Sequence, residues 1–225
     1  MTHRKIRLAI FDLDGTLIDS APHCARIAND MLAARGDDLG VTEAQVRPYV
    51  TTGAWRMFDE LLEGRCGNAD AAVAEFRARY AALPTPPGCL FPGARDALSD
   101  LARTGFSLGV WSNKRQELCD KVIGELELAA FLDAVVGTGP GAPLKPDLTG
   151  LDLVLASAGA TRARACYVGD SEPDYAAATA AGLPLVMMTH GYGDFTRVWP
   201  GAVLCDSFRR LPSIVEDLLP ERAAA

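Results

Sequence analysis

Six short apolar runs punctuate the chain, at residues 8–11, 107–111, 134–136, 166–168, 185–188 and 202–204. Each has the length and β-branched or aromatic content of a strand. Between most of them apolar positions recur at helical spacing, as in 93–103 (GARDALSDLAR), 115–126 and 148–158. Strands alternating with amphipathic helices predict a parallel sheet covered by helices.

One interval departs from this alternation. From residue 21 to 86 there is no convincing strand, and the pattern reads as four consecutive helices at about 21–35, 42–49, 54–63 and 69–83. Pro84, Pro86, Pro87 and Gly88 then stiffen the return. The expectation is an α/β, doubly wound, Rossmann-like core made of 1–20 and 87–225, with an inserted α-helical cap domain at 21–86. Trp55 and Phe58, three apart, are expected to share a packed helical face.

Composition narrows the class. A length of 225 residues, 49% hydrophobic and 23% charged, is ordinary for a soluble globular chain. The basic opening Met1 to Arg7 is followed by an apolar stretch that Asp12 and Asp14 interrupt, which does not fit a secretory leader. No run reaches the ~18 apolar residues of a membrane span. Six scattered cysteines without a C-x-x-C pair suit reduced thiols in a cytoplasm rather than zinc or disulfides. The formal net charge of −7 argues against nucleic acid as the main partner. The oligomeric state has no sequence signal.

In an open parallel sheet, ligands bind beyond the carboxyl ends of the strands. The polar residues there are Asp12 after the first run, Ser112 after the second and Asp170 after the fourth, with Asp14, Asp174 and Lys145 close by in sequence. Carboxylates gathered at one sheet edge repel one another unless protons or a divalent cation compensate. Oxygen ligands favour Mg²⁺ over zinc.

The series Asp12-Leu13-Asp14-Gly15-Thr16-Leu17-Ile18-Asp19-Ser20, Ser112-Asn113-Lys114, Lys145-Pro146 and Gly169-Asp170-Ser171 with Asp174 resembles the haloacid dehalogenase-like hydrolase superfamily, in the order its motifs take. Within it, VRPYVTTG at 46–53, LFPG at 90–93 and HGYG at 190–193 are most similar to the bacterial phosphoglycolate phosphatases.

The resemblance implies a Mg²⁺-dependent phosphatase acting on a small phosphorylated metabolite, with phosphoglycolate the best single substrate. It implies that Asp12 is the nucleophile, forming an aspartyl-phosphate, and that Asp14 is the acid and base, its carbonyl also meeting the metal. Ser112 and the Asn113 N–H would hold the phosphate and Lys145 would balance its charge. Asp12 and Asp170 would ligate the metal and Asp174 would support it, directly or through the lysine. Thr52, Gly53 and Arg56 would form the substrate-facing edge of the cap.

A sugar-phosphate phosphatase or phosphomutase shares these core motifs, and a non-catalytic binding module would share the fold. Ser20 fits capping of the first helix as well as it fits the site. Gly191 and Gly193 fit a functional loop as well as a plain turn, and lone histidines such as His23 and His190 read as structural.

Overall fold

A computed structural model of the chain describes residues 6–221; the first five residues of the basic opening and the last four of the expected core lie outside that range. The elements run β1 (Arg7–Phe11), α1 (Ala21–Ala33), α2 (Glu43–Val50), α3 (Ala54–Arg56), α4 (Ala69–Ala82), α5 (Ala94–Arg103), β2 (Phe106–Arg115) and α6 (Gln116–Glu125). They continue through β3 (Ala134–Thr138), α7 (Thr149–Ala158), β4 (Ala165–Gly169), α8 (Glu172–Ala181), β5 (Leu185–Met188), β6 (Ala202–Cys205) and α9 (Leu211–Leu218).

The six strands form one parallel sheet in the order β3-β2-β1-β4-β5-β6. Chain direction across the sheet reverses between β1 and β4, so their carboxyl ends flank the crevice where such sheets bind ligands. The Asp12 N–H donates to the Val168 carbonyl at 2.8 Å and locks the two ends together.

β1 and β4 are buried on both faces, which is why they read as unbroken apolar runs. Alternate side chains go to opposite cores. Ala9, Phe11, Cys166 and Val168 pack on one face, and Leu8, Ile10, Ala165 and Tyr167 on the other.

The first of these cores continues without a break into the helical segment between β1 and β2, through Ile27, Met31, Phe58, Phe76 and Tyr80. Local sequence starts those helices. Thr42 and Gln45 make a reciprocal capping box on α2, and the Asn68 side chain accepts from the Asp70 and Ala71 N–H groups at the start of α4. The two connections to the sheet run side by side: Ile18 bridges Leu90, and the Asp19 N–H donates to the Cys89 carbonyl at 2.7 Å.

Two elements differ from expectation. β2 does not stop at Trp111; after an irregularity its backbone stays extended and Arg115 pairs with Thr138 of β3. The helix expected over 54–63 is a single α turn followed by a π-helical stretch, Met57–Leu61. Its wider i→i+5 turn shifts the phase of the helix face. Phe58 is therefore buried against Phe76 at 5.6 Å between centroids, whereas Trp55 is 46% exposed. Among the described residues no helix is long and apolar enough to cross a membrane.

Candidate active site

Asp12 leaves β1 with its side chain almost fully buried, and one oxygen, Oδ1, accepts from the Lys145 ammonium at 2.7 Å. Oδ2 has no hydrogen-bond partner among the described residues. Burial pushes the Asp12 carboxyl up to about 7; Lys145 opposes the shift while the Asp174 and Asp14 charges add to it.

Lys145 arrives on the loop after β3 and is held from four sides. Its Nζ also donates to Asp174 Oδ1 at 2.7 Å, the Tyr167 hydroxyl at 2.9 Å and the Trp111 carbonyl at 3.1 Å. Burial alone would lower this ammonium, but Asp12 and Asp174 outweigh it and keep it above its ordinary value.

Asp174, in the first turn of α8, has both oxygens engaged. Oδ1 meets Lys145 and the Tyr167 hydroxyl; Oδ2 accepts from the Ser171 hydroxyl at 2.6 Å and from the Ser171 and Asp170 N–H groups at 3.0 and 3.2 Å. Burial favours its neutral form, yet Lys145 and these donors hold it below the usual carboxylate range.

Asp170 differs: among the described residues its carboxyl accepts only from the Thr16 hydroxyl and the Tyr192 N–H, each at 2.7 Å, while burial and then the Asp174 and Asp12 charges drive it well upward. The backbone crowds it. Gly15 has φ +88°, and a Cβ there would lie 2.4 Å from Asp170 Oδ2; a Cβ on Gly191 would lie 2.2 Å from Asp170 Cβ. Both positions require glycine.

Carboxylate oxygens of Asp12, Asp170 and Asp174 lie within 4.8 Å of one another. Around them, the carboxyl groups of Asp12, Asp14, Asp170 and Asp174 face two ammonium groups, Lys114 and Lys145. This excess of carboxyl groups over ammoniums, in an all-oxygen setting, suits a divalent cation such as Mg²⁺. Asp170, with few donors and a raised pKa, is the side chain with most to gain from it.

Asp14 turns the other way. It accepts from the Ser20 hydroxyl at 2.5 Å and takes both its oxygens to the buried Lys114 ammonium, at 2.8 and 2.9 Å. Lys114 also sits 4.6 Å over the Tyr80 ring; burial would lower its pKa, but Asp14 holds it well above the ordinary value. Ser20 stands at the N-terminus of α1, yet its side chain makes no cap there.

Asp12, Ser112, Asn113, Lys145, Thr51 and Asp14 line a small pocket. Asp14 and Asn113 also border a cavity of about 460 Å³ between the helical segment, the end of β2 with the start of α6, and the loop after β3. Asn113 ties the two sides together, donating to the Thr51 carbonyl at 2.9 Å and accepting from the Lys145 N–H at 2.7 Å.

Thr52, Gly53 and Arg56 do line the larger cavity. The Thr52 hydroxyl, however, donates to the Pro48 carbonyl, and Arg56 is held by Glu60 through two contacts at 2.7 and 3.1 Å. Arg77 of α4 is half-buried on the same wall and makes no salt bridge among the described residues; burial and Arg115 push its guanidinium down, with Glu117 opposing them.

Lys114, Tyr167, Tyr192 and Arg77 are absent from the sequence-based site. A signal existed for the first: in an extended strand Ser112 and Lys114 lie on one side. Extending β2 to Arg115 supplies that geometry.

The model of the family described as haloacid dehalogenase-like hydrolase matches residues 9–188. A phosphoglycolate phosphatase of Rhodospirillum rubrum is 39% identical over 196 residues, covering 83% of this chain and 80% of the relative. Another, from Pseudomonas putida, is 34% identical over 83% of this chain and 70% of the relative. A crystal structure from Lactobacillus delbrueckii subsp. bulgaricus superposes with a TM-score of 0.82 at 22% identity, covering 96% of this chain and 100% of that one, a likeness of fold.

Proposed function

We propose that this chain, which belongs to the haloacid dehalogenase-like hydrolases and is a phosphatase, hydrolyses phosphoglycolate with Mg²⁺ through an aspartyl-phosphate on Asp12. The observation that carries the reading is Asp12 itself: one oxygen fixed by Lys145 and the other unengaged, in a pocket with Ser112 and Asn113.

Asp12 Oδ2 attacks phosphorus as the bond from phosphorus to the glycolate oxygen breaks. Asp14 gives that oxygen its proton. Asp14 then takes a proton from water as the water attacks the phosphorus, which frees Asp12 and inorganic phosphate. Lys114 engages both Asp14 oxygens, and an anionic leaving group in the same cavity offers that ammonium another partner during the first half-reaction. Ser112 and the Asn113 N–H hold phosphate oxygens. Asp12, the Asp14 carbonyl and Asp170 would hold Mg²⁺, with Asp174 bracing Lys145 behind them. When bound, the ion supplies positive charge against the phosphate oxygens.

Residues 21–86 serve as a cap that selects the leaving group. Its wall supports an anionic one, since Arg56, Arg77 and Arg115 all border the cavity and Arg77 makes no salt bridge among the described residues. The named relatives point the same way. Six free, buried cysteines fit a reducing compartment such as the cytoplasm.

A panel of phosphorylated metabolites assayed with Mg²⁺ and with EDTA tests the reading. Phosphoglycolate should give the highest kcat/KM, EDTA should remove turnover, and folded Asp12→Asn should be inactive. A sugar phosphate preferred over phosphoglycolate overturns the substrate, and an active Asp12→Asn overturns the nucleophile. Arg77→Ala should raise KM for phosphoglycolate by about 10-fold or more, from the loss of a charged hydrogen bond, and leave that for p-nitrophenyl phosphate little changed. Arg56→Ala, whose guanidinium is already occupied by Glu60, should show the same selectivity more weakly.

A further inference from the structure

The loop 190–193 after β5 wraps Asp170 closely. Tyr192 donates its N–H to Asp170 Oδ2 at 2.7 Å, and a Cβ on Gly193 would meet the Asp170 carbonyl oxygen at 2.2 Å. His190 Nε2 lies 3.1 Å from the Thr16 carbonyl, and the Thr16 hydroxyl binds Asp170 as well.

The Tyr192 side chain leaves this cluster and reaches the root of the helical segment. Its hydroxyl accepts from the Ser20 N–H at 2.9 Å and the Ala21 N–H at 3.1 Å, and donates to Asp19 Oδ1 at 2.7 Å. These contacts use both acceptor sites and the one donor of a phenol. They also satisfy amides that the start of α1 leaves without an intrahelical partner. Arg47 of α2 binds the other Asp19 oxygen at 3.2 Å, with its guanidinium 5.5 Å over the Tyr192 ring. Ser20, so placed, donates its own hydroxyl to Asp14.

We propose that Tyr192 is a positioning residue for phosphoryl transfer: its hydroxyl sets Ser20, and through Ser20 the Asp14 carboxyl, while its N–H holds Asp170. One residue thereby ties the root of the helical segment to the proton donor and to the carboxylate cluster. The proposal rests on the reading of Asp14 as the acid for the leaving oxygen, so it predicts a dependence on leaving group. An alkoxide needs that proton, whereas p-nitrophenolate departs without it.

The test compares kcat/KM, which reports steps through the first irreversible one, for phosphoglycolate (or the alkyl phosphate turned over fastest in the panel above) and for p-nitrophenyl phosphate. Tyr192→Phe should lower the alkyl value by about 10-fold or more and the aryl value by less than about threefold, within the usual range of a general acid. Its Mg²⁺ concentration for half-maximal rate should stay unchanged, because the backbone N–H remains. Ser20→Ala, which removes one hydroxyl and leaves the backbone intact, should give the same split and guards against misfolding of the tyrosine variant. Asp14→Asn separates the two ideas. If it splits the substrates and neither Tyr192→Phe nor Ser20→Ala does, the positioning role is overturned and the acid stands. If Asp14→Asn lowers both substrates equally, the acid reading falls and the positioning role falls with it.

Discussion

His23 lies on α1 with 5% of its surface exposed, its ring edge-on to Tyr80 at 4.8 Å, and neither ring nitrogen finds a hydrogen-bond partner among the described residues. Burial lowers its pKa from 6.5, the nearby cations Arg26, Lys114 and Lys121 lower it further, and Glu125 opposes them. Because the folded value is the lower one, the unfolded chain binds the proton first as pH falls. The stabilisation from neutral His23 is complete above about 6.5 and is lost as pH drops toward the folded value, at up to ~1.4 kcal/mol per pH unit. Urea unfolding at pH 7.5 and 5.5 should therefore show a loss in the wild-type protein that His23→Phe reduces by about 1 kcal/mol. Identical pH dependence in the two proteins would remove His23 from the account.

At the scale of elements, the start of α8 is bound to the site by one carboxylate. Asp174 Oδ2 takes the Asp170 and Ser171 N–H groups at the helix entry, and Oδ1 takes the buried Lys145 ammonium. Asp174→Asn keeps the shape but loses the charge and puts an NH₂ against donors. Breaking a buried ion pair this way costs about 3–5 kcal/mol, and Lys145 loses one of the two carboxylates that fix it. Denaturation should register that loss together with a fall in turnover. A variant of unchanged stability would mean that water replaces the carboxylate.

For the molecule as a whole, the proposed Mg²⁺ site predicts that the excess of buried carboxyl groups makes stability depend on metal. Mg²⁺ at about 100 times its dissociation constant stabilises a folded state by ~2.7 kcal/mol, about 5–10 °C in Tm for a chain of this size. Asp170→Asn should abolish that shift while leaving the metal-free protein no less stable, since it removes a carboxylate facing Asp12 and Asp174. Differential scanning calorimetry with EDTA and with Mg²⁺ reads both arms. A metal-free Asp170→Asn protein several degrees less stable than wild type would show that Asp170 supports the fold instead of straining it.

Strand and helix periodicity is local, and it was enough to place the α/β sheet, the helical segment after β1 and the aspartates where β1 and β4 end. The same local pattern misjudged Trp55, because a π turn changes the phase of a helix through packing that spacing does not encode. It also stopped β2 at Trp111, since Ser112 to Arg115 is polar and pairs with β3 only across an irregularity. The remaining parts of the site are contacts between residues far apart in the chain. Lys114 meets Asp14 across 100 positions and Tyr192 meets Ser20 across 172. No local period relates such pairs, so the sequence by itself determined which chemistry stands at the strand ends. Only the folded sheet, by bringing β1, β2 and β4 side by side and the loop after β5 onto Asp170, decided which cation faces which carboxylate and what holds the helical segment in place.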